Sequence, residues 1–115
     1  MGISDKDKSY LWDIKEACAD ILQFTNNIKY NDFELDKMRR FAVERQLLDV
    51  GEAANHLSSS FQESEPSIPW SNIIGLRNII AHDYGEILVE RIWLTAINHI
   101  PELWKSVIDI LESNK

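Results

Sequence analysis

Residues 43–61, VERQLLDVGEAANHLSSSF, carry the pattern that decides the fold. Apolar residues recur here at alternating steps of four and three, which is the repeat of a helix face packed against other helices. They are Val43, Leu47, Val50, Ala54, Leu57 and Phe61. The pattern predicts a central helix over about residues 32–61. Gly51 costs this helix roughly 1 kcal/mol relative to alanine, and a close crossing with another helix would explain it.

The rest of the chain shows the same helical period, with four Gly and three Pro in 115 residues. Apolar spacing predicts further helices over about residues 5–28, 70–84 and 86–99, and another that begins at Pro101. The serine- and proline-containing stretch 58–70 is expected to form the one substantial loop. The sequence therefore predicts an all-α, up-and-down bundle of four or five helices in a single domain, residues 1–115.

Composition excludes several classes of protein. Twelve basic and nineteen acidic residues give a formal charge of −7, which argues against a general nucleic-acid binder. A single cysteine, Cys18, excludes an intramolecular disulfide and a cysteine-based zinc cluster, and its place on an apolar stripe predicts a core residue. No apolar run approaches the roughly 20 residues of a membrane span, and the N-terminus is too polar for a secretory signal. We expect a cytoplasmic protein without membrane partners.

One short stretch, residues 75–85, concentrates polar groups on an otherwise apolar helix. At about 100° per residue, Asn78 and His82 share one face, and Arg77 and Tyr84 share another. Arg77 and His82 diverge by about 140° on a straight helix. They could converge if the helix ends near His82, or a symmetric dimer could bring two copies of the segment together into a composite site.

An arginine and a histidine suit one substrate class in particular. The guanidinium is a permanent charge whose planar donor fork matches phosphate oxygens, and histidine exchanges protons near neutral pH. RNA carries an internal nucleophile, its 2′-hydroxyl, so Arg77 and His82 could cleave it without a metal and leave a 2′,3′-cyclic phosphate. DNA lacks this nucleophile and would be spared.

Structural explanations compete with this chemistry. A histidine near a helix C-terminus often only complements the helix dipole, and an arginine beside an aspartate is often a plain surface ion pair. A metal site built from His56, His82 and His99 lacks a ligand spacing pattern. The basic residues at the start of the long helix could guide RNA or could simply be solvated; they are Lys37, Arg39, Arg40 and Arg45.

Residues 77–84, RNIIAHDY, match the R-x-x-x-x-H-x-Y signature of the HEPN superfamily, with the polar Asn78 directly after the arginine. The chain resembles the HepT-like ribonuclease toxins of that superfamily over nearly its whole length. Other segments that carry the resemblance are DVGEAA at 49–54, IPW at 68–70, IIGLRN at 73–78, Trp93 and PEL at 101–103.

The resemblance implies a ribonuclease toxin of a type VII-like toxin–antitoxin module that works as a homodimer. Arg77 and His82 would be catalytic and Asn78 would assist at the phosphate. Glu52 would either face the site and hold Arg77 or lie on the outside of the bundle.

The implied partner is a minimal nucleotidyltransferase antitoxin that transfers AMP from ATP to Tyr84. ATP and magnesium would belong to that antitoxin, and this chain would need no cofactor or metal of its own. The alternative is a non-catalytic helical module that dimerises and binds a nucleotidyltransferase.

Overall fold

Nearly all of the regular structure is α-helical, as the periodicity predicts. The structure, a computed structural model, describes residues 2–82 and 85–114. Its helices are α1 (Asp5–Phe24), α2 (Tyr30–Leu35), α3 (Lys37–His56), α4 (Ser59–Ser64), α5 (Trp70–Ile74), α6 (Leu76–His82), α7 (Gly85–Leu94), a π-helical turn (Thr95–His99) and α8 (Ile100–Ser113). No strand occurs in these two ranges, which confirms the all-α class.

The core lies where α1 packs against α3 on one side and α8 on the other. The predicted apolar seam of residues 43–61 is entirely buried, from Val43 on α3 to Phe61 on α4. Cys18 is also fully buried, and burial raises the pKa of its thiol to about 12. A thiol held protonated in this way packs as a small apolar side chain rather than acting as a nucleophile.

The prediction of one continuous helix over residues 32–61 is wrong, because two polar side chains divide it. Asp36 leaves helical geometry, and its carboxylate accepts a hydrogen bond from the Arg39 amide at 3.0 Å, so that it ends α2 and caps α3. Ser58 does the same for α4 by accepting from the Phe61 amide at 3.2 Å. Such side chains compete with the helical ladder for backbone amides. Hence α4 occupies the first half of the predicted 58–70 loop.

The C-terminal half differs from the prediction in where its helices are divided. The predicted helix 70–84 is divided at Gly75, and the structure describes its second part, α6, from Leu76 to His82. Gly85 has φ +66, which confirms the expected left-handed position. No break separates the last two predicted helices, because a π-helical turn carries the chain to Pro101, with the Ile100 amide donating to the Thr95 carbonyl. The wider turn lets the helix continue up to a proline, which has no amide hydrogen to donate.

A buried carboxylate fastens the start of α1 to the junction of α3 and α4. Ser4 caps α1 by accepting from the Asp7 amide at 3.1 Å. The Asp7 side chain, 5% exposed, accepts from the Ser58 amide at 2.9 Å and the Ser58 hydroxyl at 2.6 Å. Burial acts to raise the pKa of Asp7, but the hydrogen bonds with Ser58 and Ser4 and the nearby charge of Lys6 together lower the pKa below 3.8.

Replacing Asp7 with alanine should therefore cost about 1–3 kcal/mol of unfolding free energy at neutral pH, because the Ser58 amide loses its partner. A depressed carboxylate pKa stabilises the fold above pH 3.8, and this stabilisation disappears as the pH falls through the pKa of the folded state. Urea unfolding at pH 7 and pH 3 checks this against Asp5→Ala, a change in the same helical turn at an exposed position. A stability difference between wild type and Asp7→Ala that does not shrink at pH 3 would contradict it.

Within the described residues, no helix is both long enough and apolar enough to cross a membrane.

Candidate active site

Arg77 stands at the start of α6, two residues after Gly75, which separates α6 from α5. Gly75 forms the joint between the two helices, and its carbonyl accepts from the amides of Asn78 and Ile79 at 3.0 and 3.2 Å. Leu76, directly before the arginine, is buried and anchors α6 to the core. The position of Arg77 is thus fixed by backbone geometry on one side and by packing on the other.

Two acceptors hold the guanidinium of Arg77. Its Nε donates to the Ile74 carbonyl at 3.3 Å, and its Nη1 donates to the Glu52 carboxylate at 3.2 Å. Nη2 takes part in neither bond, and the side chain is 31% exposed. The arginine is therefore oriented by the protein while part of it remains accessible to solvent.

Gly51 makes this arrangement possible. A Cβ at position 51 would lie 2.9 Å from the Arg77 Cγ and 3.3 Å from the Ile73 carbonyl oxygen. The hydrogen of glycine thus lets the arginine side chain lie directly against the backbone of α3. The close approach of another helix predicted from Gly51 is confirmed, and the side chain that lies against Gly51 is that of Arg77.

Glu52, the next residue on α3, pairs with Arg77 and is half exposed. The sequence left open whether Glu52 holds Arg77 or only lies on the outside of the bundle, and the structure shows that it binds Arg77. Sequence reasoning did not predict the Ile74 carbonyl as the second acceptor. A backbone acceptor has no signature in side-chain pattern, although Gly75, directly after Ile74, marks the turn that presents this carbonyl.

Asn78 and His82 are both exposed on α6. Their four-residue spacing places them on the same side of that helix, away from the Arg77–Glu52 contact. The described part of α6 runs as far as His82. Tyr84, the predicted modification site, lies outside the described residues.

Two of the four basic residues at the start of α3 are paired with carboxylates. Arg39 binds the Asp36 carboxylate at 3.1 Å and the Phe24 carbonyl, and Arg45 pairs with Asp49 at 3.4 Å. These contacts favour a structural role for Arg39 over guidance of RNA. Charge reversal at this residue would disturb the cap of α3 as well as the local charge.

The three histidines lie at the ends of different elements: His56 ends α3, His82 ends α6 and His99 ends the π-helical turn. Over residues 2–82 and 85–114, no three His, Cys, Asp or Glu side chains are grouped so that they could hold a metal ion.

Comparison with known proteins identifies the family to which this sequence is similar. Residues 14–110 match the model of the HepT-like ribonuclease family. An RNase candidate of Methanocaldococcus jannaschii is 39% identical over 100 residues, which are 87% of this chain and 92% of that protein. Another, of Caldanaerobacter subterraneus subsp. tengcongensis, is 33% identical over 94% of this chain and 96% of its own length.

A third relative, of Thermococcus cleftensis, carries the name probable ribonuclease HepT and is 38% identical over 84% of this chain and 87% of its own. No solved structure matches the chain. The match to the family model covers the core helices and the Arg77–Glu52 contact alike, and the chain belongs to the HepT-like ribonuclease family.

Proposed function

We propose that this protein is a metal-independent endoribonuclease whose site is built on Arg77 and His82. The observation that carries the proposal is the constrained guanidinium of Arg77, held by Glu52 and the Ile74 carbonyl against Gly51. A phosphate-binding group fixed before the substrate arrives needs little reorganisation as charge develops on the phosphate, which is the most effective form of electrostatic catalysis. Membership in a ribonuclease family makes RNA the natural substrate.

The proposed reaction is an internal transfer at phosphorus. His82 takes the proton of the 2′-hydroxyl. The 2′-oxygen then forms a bond to phosphorus, and the bond from phosphorus to the 5′-oxygen breaks. The imidazolium formed at His82 returns the proton, directly or through water, to the leaving 5′-oxygen, so that the products are a 2′,3′-cyclic phosphate and a 5′-hydroxyl. Arg77 stabilises the negative charge on the five-coordinate phosphorus, and the exposed amide of Asn78 assists in orienting the phosphate.

A homodimer completes the proposed site. Arg77 and His82 diverge around a short helix, so a second copy would bring a second arginine–histidine pair into reach. One face of α3 is suited to such an interface. It runs from Met38 (84% exposed) and Phe41 (54% exposed) toward the half-exposed Glu52. The exposed apolar side chains at one end of this face favour an interface, and the other end of the same face reaches the Arg77–Glu52 contact.

Cleavage of a synthetic RNA by the purified protein in the presence of EDTA tests the proposal. We expect fragments that end in a 2′,3′-cyclic phosphate, detected by mass, and no cleavage at a position that carries a single 2′-deoxyribose. Cleavage that continues at the deoxyribose position, or that stops on addition of EDTA, would overturn the mechanism.

We further propose that the protein is the toxin of a type VII-like toxin–antitoxin module in the cytoplasm. Its partner would be a minimal nucleotidyltransferase antitoxin that transfers AMP to Tyr84, with ATP and magnesium bound by the antitoxin and none by this chain. Residues 77 and 84 are seven apart, which puts them on one face of a continuous helix. A bulky anionic group on Tyr84 would then compete for the phosphate-binding Arg77.

Intact-protein mass after incubation with that nucleotidyltransferase and ATP provides the test. We expect increments of one AMP, absent from Tyr84→Phe, together with loss of RNA cleavage. Increments that persist in Tyr84→Phe would assign the modification to another residue.

A further inference from the structure

A cavity of about 320 Å³ lies on the other side of α6 from Glu52. Its apolar walls come from α5 and α6 on one side and from α8 on the other, and include Ile73, Leu76, Ile79 and Leu103. The π-helical turn closes one flank with Thr95 and His99. The volume falls within the range of roughly 300–1,000 Å³ that is usual for ligand sites. The lining, apolar walls with a few polar groups, is also typical of such sites.

This cavity adjoins the face of α6 that bears the proposed proton-transfer residue. Ile79 and His82 are three residues apart, which is about 4.5 Å along the helix and 60° around it. A phosphate held at His82 would therefore have its neighbouring nucleoside within reach of the cavity. The aliphatic walls can pack against the face of a heterocyclic base, and the polar side chains of the lining suit its edge.

The charge of the rim argues against phosphate as the occupant. Among the described residues that line the cavity, Glu102 carries the one carboxylate, and His99 and Ser106 supply further polar groups. A carboxylate repels phosphate, but it accepts hydrogen bonds from an exocyclic amino group. Cytosine, adenine and guanine carry such a group, whereas uracil offers only the single donor of its ring N3–H.

We propose that this cavity binds the base of the nucleotide beside the cleaved phosphate and favours bases that carry an amino group. The proposal rests on the proposed ribonuclease function and adds a specificity site to it. Glu102 is the residue that selects the base, and the apolar walls supply most of the contact area. Sequence preference would then arise within one protomer, on the opposite side of α6 from the arginine.

Binding of nucleoside 3′-monophosphates to the full chain tests the cavity without any need for cleavage. We expect the methyl NMR signals of Ile79 and Leu103 to shift in a saturable way with the cytidine, adenosine and guanosine compounds. Uridine 3′-monophosphate should bind about tenfold more weakly. Glu102→Gln should reduce this difference to less than about threefold, because an amide can also donate to a uracil carbonyl.

Ser106→Phe, which fills the cavity, should abolish the methyl shifts, whereas Ser113→Phe on the same helix should retain them. Glu102→Gln alters an exposed side chain, so the test stands even if Ser106→Phe does not fold. Equal binding of all four compounds, or shifts that persist in folded Ser106→Phe, would overturn the proposal.

The cleavage assay separates this inference from the function on which it depends. If the methyl shifts and the base selectivity appear but the protein cleaves no RNA, the base site stands and the ribonuclease proposal fails. If RNA is cleaved without base preference and no methyl shift is seen, the ribonuclease proposal stands and the base site fails.

Discussion

Arg77→Ala should lower kcat/KM for RNA cleavage by about 10³-fold while leaving the fold intact, because it removes a preorganised charge from the developing oxyanion. His82→Ala should cause a loss of about 10²- to 10⁴-fold, the usual range for a missing general acid or base. The unfolding free energy should change by less than about 1 kcal/mol in Arg77→Ala, since the Arg77–Glu52 pair is partly exposed.

Glu52→Gln distinguishes a positioning role for Glu52 from a catalytic one. The amide oxygen can still accept from Arg77, so we expect a loss of about tenfold or less, mainly in kcat. Arg77→Lys keeps the charge but lacks the planar fork, and it should recover little activity. Circular dichroism and analytical ultracentrifugation of each variant provide the controls for folding and assembly.

The same variants decide between an enzyme and a binding module. If Arg77→Ala and His82→Ala leave RNA cleavage unchanged but abolish dimerisation or binding of a nucleotidyltransferase, the two residues serve an interface. Loss of cleavage with an intact dimer supports the ribonuclease.

Gly51→Leu is expected to have the second largest effect, because it places a large side chain where α3 meets Arg77. Even a Cβ would approach the Ile73 carbonyl oxygen to 3.3 Å, and backbone cannot move aside as a flexible side chain can. Overpacking of this kind costs about 1–3 kcal/mol and occasionally more. Urea unfolding should show this loss, and RNA cleavage should fall with the displacement of Arg77.

Two further changes on α3 make the Gly51 experiment specific. Asn55→Leu introduces the same side chain one turn later at an exposed position and should alter neither stability nor cleavage appreciably. Gly51→Ala gains helix propensity of about 1 kcal/mol, which offsets part of its clash. It should therefore lower cleavage more than stability. Full activity in Gly51→Ala would contradict the claim that the glycine positions Arg77.

The sequence predicted well those features that depend on apolar repeat. The buried seam from Val43 to Phe61, the buried Cys18 and the left-handed conformation of Gly85 are observed as predicted. Buried positions require apolar residues and left-handed positions favour glycine, so both can be recognised from residue type alone. The family resemblance carried by residues 77–84 is likewise confirmed by the match over residues 14–110.

Competition between local polar groups was harder to predict. The apolar seam continues across Leu57 and Ser58, yet the side chain of Ser58 takes the amide that would have extended the helix. The same holds at Asp36. At the candidate site, the pairing of Glu52 with Arg77 joins residues 25 apart and needed the crossing at Gly51 to be seen. Periodicity describes one helix at a time and says little about such contacts.

The π-helical turn at Thr95–His99 adds one residue to the chain between α7 and α8. A ladder bond that spans one residue more than usual accommodates one extra residue without rotating the helices on either side. The turn is therefore equivalent to a single-residue insertion into an otherwise regular helix that runs from α7 into α8. Deletion of the exposed Asn98 would restore ordinary α-helical spacing, keep Ile92 and Leu103 facing the core, and narrow the wall that Thr95 and His99 form. The number of residues in this turn therefore sets the shape of the cavity wall without changing which side chains of the flanking helices face the core.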